Sequence, residues 1–104
     1  MTDKIEHIID KYDGTQCWFL NSQYHRLDGP AIIYPDGSQA WYQNDKLHRV
    51  DGPAYIDADG YQEWYVNDID VTDRAKELID DCSINPDYNQ WTDAEKVLVQ
   101  LAIR

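Results

Sequence analysis

Apolar and polar residues alternate through the first two-thirds of the chain in short runs. Each run ends in a turn signal, and the pattern recurs every 23 residues. His25-Arg26-Leu27-Asp28-Gly29-Pro30-Ala31 returns as His48-Arg49-Val50-Asp51-Gly52-Pro53-Ala54. The same offset links Asp36-Gly37 to Asp59-Gly60, Trp41-Tyr42 to Trp64-Tyr65 and Asn44-Asp45 to Asn67-Asp68. One step back it reaches Asp13-Gly14, Gln16, Trp18-Phe19 and Asn21. The chain therefore holds roughly two and a half units of a repeat array. The first unit lacks the His-Arg-x-Asp-Gly-Pro opening. The third runs out at Val71-Thr72, where His-Arg would stand.

Each unit reads as a β-hairpin. In Ala31–Tyr42, Pro35 fits the second position of a type I turn and Gly37 the left-handed residue of a three-residue loop; Gly60 does the same one unit on. That loop pairs Tyr34 with Ser38, Ile33 with Gln39 and Ala31 with Trp41, and in the next unit Ala54 with Trp64. A small residue then faces the largest one twice. A two-residue loop would move every pairing by one and cross the faces.

Alternation places Trp18, Trp41 and Trp64 on one face with Ile8, Ala31, Ile33, Ala54 and Ile56. The other face carries Phe19, Tyr42 and Tyr65 with Ile9, Ile32, Tyr34, Tyr55, Cys17 and Glu63. The indole face is the expected core face; the tyrosine face is mixed. Asp-Gly-Pro at 28–30 and 51–53 predicts a bend at the start of the next strand, because proline cannot donate into a central ladder. Residues near 5–12 are a strand by repeat analogy, although their composition also allows a short helix.

After Val71 the period becomes helical. Thr72 can cap a helix to about Cys82, with Ala75, Leu78, Ile79 and Cys82 on one side. Ser83–Gln90, with Asn85-Pro86-Asp87, reads as a loop. Thr92-Asp93-Ala94-Glu95 is a capping box opening a last helix whose Ala94, Val97, Leu98, Leu101 and Ala102 form an apolar stripe. The expected fold is α+β, one domain over 1–104: an antiparallel β-meander of repeated hairpins (5–71, about six strands), capped by two C-terminal helices (72–104). Which sheet face the helices cover stays open.

His-Arg-x-Asp-Gly-Pro-Ala, then Asp-Gly, then Trp-Tyr-x-Asn at a 23-residue period resembles the MORN-like hairpin repeats, most closely the variant of many phage and large-virus proteins. The likeness spans residues 7–71 and leaves out the helices. The Gly-rich Tyr-x-Gly core of the common MORN pattern is absent. The resemblance implies a binding or scaffold module rather than a catalyst, and it implies no uniform ligand.

Charge narrows the partners. Nine Lys and Arg stand against twenty Asp and Glu, giving −11, which argues against direct nucleic-acid or anionic-membrane binding. Residues 51–81 hold ten carboxylates against Arg74 and Lys76, a local −8. Sixteen of the twenty acids are Asp, many of them in turns where Asp acts locally. No apolar run reaches the ~20 residues of a membrane span, and no signal-peptide core opens the chain. With two unlike, distant cysteines, Cys17 and Cys82, a cytoplasmic setting is expected.

Candidate chemistry is sparse. His25 and His48 lie in equivalent hairpins, hence ~10 Å apart. They cannot share a metal through ~2 Å bonds, and Arg26 and Arg49 beside them repel cations. The plainer expectation is packing of each His near the tryptophans and pairing of each Arg with Asp28 or Asp51 across the bend. No phosphate loop, Cys-x-x-Cys, nucleophile elbow or His-Glu-x-x-His is present, so neither catalysis nor a cofactor or metal is expected.

Four Trp and eight Tyr in 104 residues is high, and aromatic rows mark partner surfaces. The expected partner-binding residues are Tyr42, Tyr55 and Tyr65 with Asp57, Glu63, Asp68, Asp70, Asp73, Glu77, Asp80 and Asp81. They would meet a basic groove on a host or viral protein. A phage-encoded inhibitor of a host defence or nucleic-acid-processing protein, such as a CRISPR effector or nuclease, fits this pattern. The alternatives are an assembly module that self-associates, for instance as a homodimer through sheet edges, and a binder of glycans or quaternary ammonium groups on the tyrosine face.

Overall fold

The computed structural model describes residues 4–103; residues 1–3 and 104 of the expected domain lie outside it. Eleven short strands precede two helices among the described residues. They are β1 (Glu6–Ile9), β2 (Gln16–Leu20), β3 (Gln23–Tyr24), β4 (Ile32–Ile33), β5 (Gln39–Ala40), β6 (Tyr42–Gln43), β7 (Lys46–Leu47), β8 (Tyr55–Ile56), β9 (Gln62–Glu63), β10 (Tyr65–Val66) and β11 (Ile69–Asp70). The main antiparallel sheet runs β1-β2-β4-β5-β8-β9, with β3 beside β2; β6-β7 and β10-β11 form separate ribbons. The fold is the α+β meander with a helical cap that the repeat predicts.

The three-residue loop sets the register as expected. Ile33 faces Gln39, Tyr34 N–H donates to Ser38 O, and Ile56 faces Gln62. Gly37 and Gly60 hold φ of 93° and 91°, a region glycine enters without a Cβ clash.

The repeat holds more than one hairpin per unit, a correction to the sequence reading. Asn44-Asp45 and Asn67-Asp68 have positive φ at both residues, as do Asn21-Ser22. Two consecutive left-handed residues make the type I′ turn of a two-residue hairpin, and Asn and Asp tolerate that region best among side-chain-bearing residues. Each unit thus closes one hairpin in the main sheet and then a second, smaller one.

The tryptophan is the junction between them. Trp18 and Trp41 donate their N–H to Ala31 O (2.8 Å) and Ala54 O (2.7 Å) of the next unit. Their carbonyls accept from His25 and His48 N–H, both at 3.0 Å, within the second hairpin. In the third unit no further alanine follows. There the Thr72 hydroxyl accepts from Trp64 N–H at 2.9 Å, and Val71 N–H supplies the carbonyl bond. The array ends on a side chain that stands in for the missing backbone.

β1 is a strand, as repeat analogy predicts, but its faces are reversed. Its loop, Lys11–Gly14, has four residues, since Asp10 N–H donates to Thr15 O. His7 therefore faces Trp18 and Ile8 faces Cys17. Ile9, not Ile8, shares the indole face, and both isoleucines are exposed.

The main hydrophobic cluster sits at one end. Trp64 packs with Ala75, Ile79, Ile84, Trp91 and Val99 of the cap. Helix α1 (Thr72–Asp81) buries Thr72, Ala75 and Ile79; Cys82, expected on that side, is exposed. Helix α2 (Asp93–Ile103) starts at the expected capping box, with Glu95 N–H donating to Thr92 Oγ1 and Thr92 N–H to Glu95 Oε1. Its expected apolar stripe points the wrong way. Ala94, Val97, Leu98 and Leu101 are exposed, Ala102 is half-buried, and Val99 is the buried residue of this helix among those described.

The indole face is not a single dry core either. Trp64 is 2% exposed, whereas Trp18 and Trp41 are half-buried. Ile32, assigned to the tyrosine face by alternation, is buried together with Ala40 opposite it, while Ile33 and Ile56 are only half-buried. Burial is shared between the two faces because the chain turns away at each tryptophan into the second hairpin. No helix among the described residues is long and apolar enough to cross a membrane.

Candidate functional site

The His-Arg-x-Asp-Gly-Pro segments are built for packing between units. His25 Nδ1 accepts from Asn44 N–H (3.1 Å) and His48 Nδ1 from Asn67 N–H (3.0 Å), so each imidazole satisfies the I′ turn of the next unit. Asp45 and Asp68 complete the link. Their carboxylates accept from Tyr24 N–H (2.6 Å) and Leu47 N–H (2.7 Å) of the preceding hairpin. Among the described residues no group of His, Cys, Asp and Glu could hold a metal ion.

The arginines cover the indoles. Arg26 lies 4.0 Å over Trp18 and Arg49 4.0 Å over Trp41, within the reach of a cation–π contact. Each Nε bonds the Asp two residues on, Asp28 or Asp51, at 2.9 Å, and each Nη1 bonds the proline carbonyl, Pro30 or Pro53, at 3.2 Å. The pairing across the bend is the one expected. A Cβ on Gly29 or Gly52 would meet the Arg carbon at 2.9 or 2.7 Å, so glycine makes room for the guanidinium. The Arg26 partnership holds the Asp28 carboxyl below the usual range.

The expected tyrosine row is broken up. Phe19 stacks on Tyr24 (4.8 Å) and Tyr24 tilts against Tyr42 (5.5 Å), so a ring from the return strand separates the first two members. Tyr42, Tyr55 and Tyr65 are half-buried. Burial first, then neighbouring acidic groups, pushes the Tyr42 and Tyr65 hydroxyls up.

The expected acidic residues fall into two groups. Asp57, Asp68 and Asp70 are tied to backbone N–H groups: Asp57 serves Asp59 and Tyr61, and Asp70 serves Thr72. Bonds from Thr72, side chain before backbone, hold the Asp70 carboxyl low. Glu63 is half-buried in β9 opposite Tyr55. Asp73, Glu77, Asp80 and Asp81 are the outward group, all exposed along α1. At about 100° per residue they fall within an arc of roughly 100°, opposite buried Ala75 and Ile79. The structure thus unites four of the predicted acids into one stripe and leaves the others in turns and sheet.

Two features escaped the sequence reading. One is the Arg-on-Trp stacking, whose signal was Arg eight residues after Trp in two units. The other is the pair of grooves beside these stacks. One, about 450 Å³, is lined by Ile5, Leu20 and Leu27 with Trp18 and Arg26. The other, about 410 Å³, lies over Trp41 and Arg49 one unit on; it shares Arg26, Leu27 and Asp28 with the first and adds Gln100 from α2. No family model, curated protein or solved structure matches the chain.

Proposed function

We propose that the chain is a non-catalytic, cytoplasmic protein-binding module that docks its acidic helix stripe into a basic groove of another protein. The observation that carries this is the row Asp73, Glu77, Asp80 and Asp81 on the face of α1 turned away from the cap's core. On a chain of −11, such a row accelerates encounter with a positive groove and repels nucleic acid and anionic lipid. Basic grooves belong to proteins that handle nucleic acid, and the phage-type repeat resemblance favours inhibition of one of them. The tyrosines lend rigidity near this surface more than contact area, since Tyr42, Tyr55 and Tyr65 are half-buried.

Competition measures this. In a panel of purified nucleases and CRISPR effectors, the chain should displace DNA from at least one member. The displacement should weaken as salt rises and vanish in a Glu77→Gln, Asp80→Asn, Asp81→Asn variant that keeps its melting temperature. Displacement untouched by those changes, or none across the panel at low salt, refutes the proposal.

A second reading rests on β1. This edge strand is exposed along its whole length, and unpaired edges invite pairing with a second copy. Sedimentation at rising concentration decides that reading: a strict monomer removes it.

A further inference from the structure

The repeat supplies its own comparison, because the three indoles sit in equivalent settings with different covers. Among the described residues no arginine lies over Trp64; Trp91 of the cap stacks there at 5.5 Å and 20°, its Nε1–H donating to Asn85 O at 2.6 Å. Trp41 carries Arg49, and that guanidinium in turn lies 5.0 Å over the ring of Tyr88 from the cap. Trp18 carries Arg26 and also stacks on His7 of β1 at 4.1 Å; among the described residues no ring of the cap lies on Arg26. So the third position is closed by an aromatic ring, the second has an aromatic ring on its cation, and the first opens into the 450 Å³ groove.

The first groove is also the more apolar of the two open ones. Ile5 and Leu20 stand where the second has Asp28 and Gln43, and Leu27 borders both. Leu27 is 75% exposed beside Asp28, whose side chain is 86% exposed.

We propose that the groove over Trp18 and Arg26 receives a tyrosine or tryptophan side chain presented between basic residues on another protein. The proposal deepens the protein-binding reading and rests on it. The occupant follows from the equivalent guanidinium one unit on, where Tyr88 lies against Arg49 at 5.0 Å; Trp91 instead takes the arginine's own place on Trp64. The basic flanks follow from the exposed Asp28 on the rim and from the charge of the whole chain. A second copy, itself at −11, is the wrong electrostatic match.

The test is an NMR titration of the ¹⁵N-labelled full chain with the blocked tripeptides Lys-Tyr-Lys, Lys-Leu-Lys and Glu-Tyr-Glu. Lys-Tyr-Lys should shift the Trp18 indole N–H and the Leu27 amide saturably and leave the Trp64 indole unmoved. Lys-Leu-Lys and Glu-Tyr-Glu should each bind about fivefold more weakly or worse. Arg26→Lys keeps the charge but loses the flat guanidinium, and should weaken Lys-Tyr-Lys by about threefold or more. Leu27→Ser, on an exposed side chain that leaves the fold alone, should do the same. No saturable shift, equal binding of Lys-Leu-Lys, or concentration-dependent Trp18 shifts of the chain alone would overturn the proposal. Because the DNA-displacement assay reads the α1 stripe, failure here with displacement intact sinks the groove and spares the broader reading.

Discussion

Replacing Thr72 by valine isolates the bond that terminates the array. Threonine and valine have nearly the same shape, so packing at this buried position changes little. What is lost is the acceptor for Trp64 N–H, which lies at 2.9 Å from Oγ1, together with the longer bond, 3.4 Å, that the hydroxyl donates to Trp64 O. Trp64 is 2% exposed, so no water replaces the hydroxyl. An unsatisfied buried donor costs about 1–3 kcal/mol. Thr72→Ser keeps the acceptor and removes one methyl, worth about 0.8 kcal/mol. Thr72→Val should therefore be the worse of the pair, although serine is the smaller side chain. At about 4–8 °C per kcal/mol for a domain of this size, a 2 kcal/mol loss lowers the melting temperature by about 8–16 °C. Urea unfolding followed by tryptophan fluorescence gives the free energies directly. The same variant removes the hydroxyl that helps hold Asp70 ionised, so the Asp70 titration midpoint should rise. A valine variant within about 0.5 kcal/mol of the parent, or a serine variant worse than the valine one, would show that the hydroxyl does not close the array.

Trp64→Ala should cost about 3–5 kcal/mol, as emptying a buried aromatic site does, and Trp41→Ala less, because Trp41 is half-buried under Arg49; chemical denaturation yielding the opposite ranking would place the core elsewhere. Val99→Ala should cost about 1.5–3 kcal/mol, while Leu101→Lys, at a side chain 69% exposed, should stay within about 0.5 kcal/mol of the parent; a collapse of the lysine variant in thermal melts would return the apolar stripe to the interior. The carboxyls of Asp36, held by the backbone and then the side chain of Ser38, and of Asp70 titrate below the usual range. Their folded pKa lies below the unfolded ~3.9, so their stabilising contribution is present above that value and is lost as pH falls through the folded one. Carboxyl NMR titrations should give both midpoints below those of the urea-unfolded chain, and higher midpoints would contradict the hydrogen bonds.

The chain's period carried most of this fold in plain view. Pro35-Asp36-Gly37 determined the loop, and the loop determined the pairing of Ile33 with Gln39. Thr92 and Glu95 marked the start of α2 through a purely local bond pair. Asn44-Asp45 was equally local and equally legible as a type I′ turn, but hairpin logic applied once per unit passed over it. The reversal of β1 depended on one extra loop residue between Asp10 and Thr15. The direction of α2 was hidden for a different reason. Periodicity finds an apolar stripe, but tertiary contacts decide which residues are buried, and here Val99 faces Trp64 and Trp91 while the stripe does not. Of the expected contact residues, the α1 acids came together because one helix carries them all. The tyrosines did not, because Tyr24 from a return strand unseen in the pattern lies among them.

How the array stops explains why its two ends differ. Inside it, each unit satisfies the next through His to Asn and Asp to the preceding hairpin, so a unit without neighbours leaves those groups open. At the C-terminal end the chain answers each loss with a substitute: Thr72 for the alanine carbonyl, Trp91 for the arginine, and Ile84 and Val99 for the next hairpin. At the N-terminal end only β1 stands in, with His7 stacked on Trp18 at 4.1 Å. Ser22 stands at the position of the aspartate that bonds the preceding hairpin in the later units. Exposed apolar side chains are left at both ends, Ile5 and Leu27 beside Trp18 and Val97, Leu98 and Leu101 on α2, while the outward carboxylates line α1. If both proposals hold, a partner meets the helix with a cationic groove and the open end with an aromatic side chain, and shielding charge with salt should release the first contact before the second.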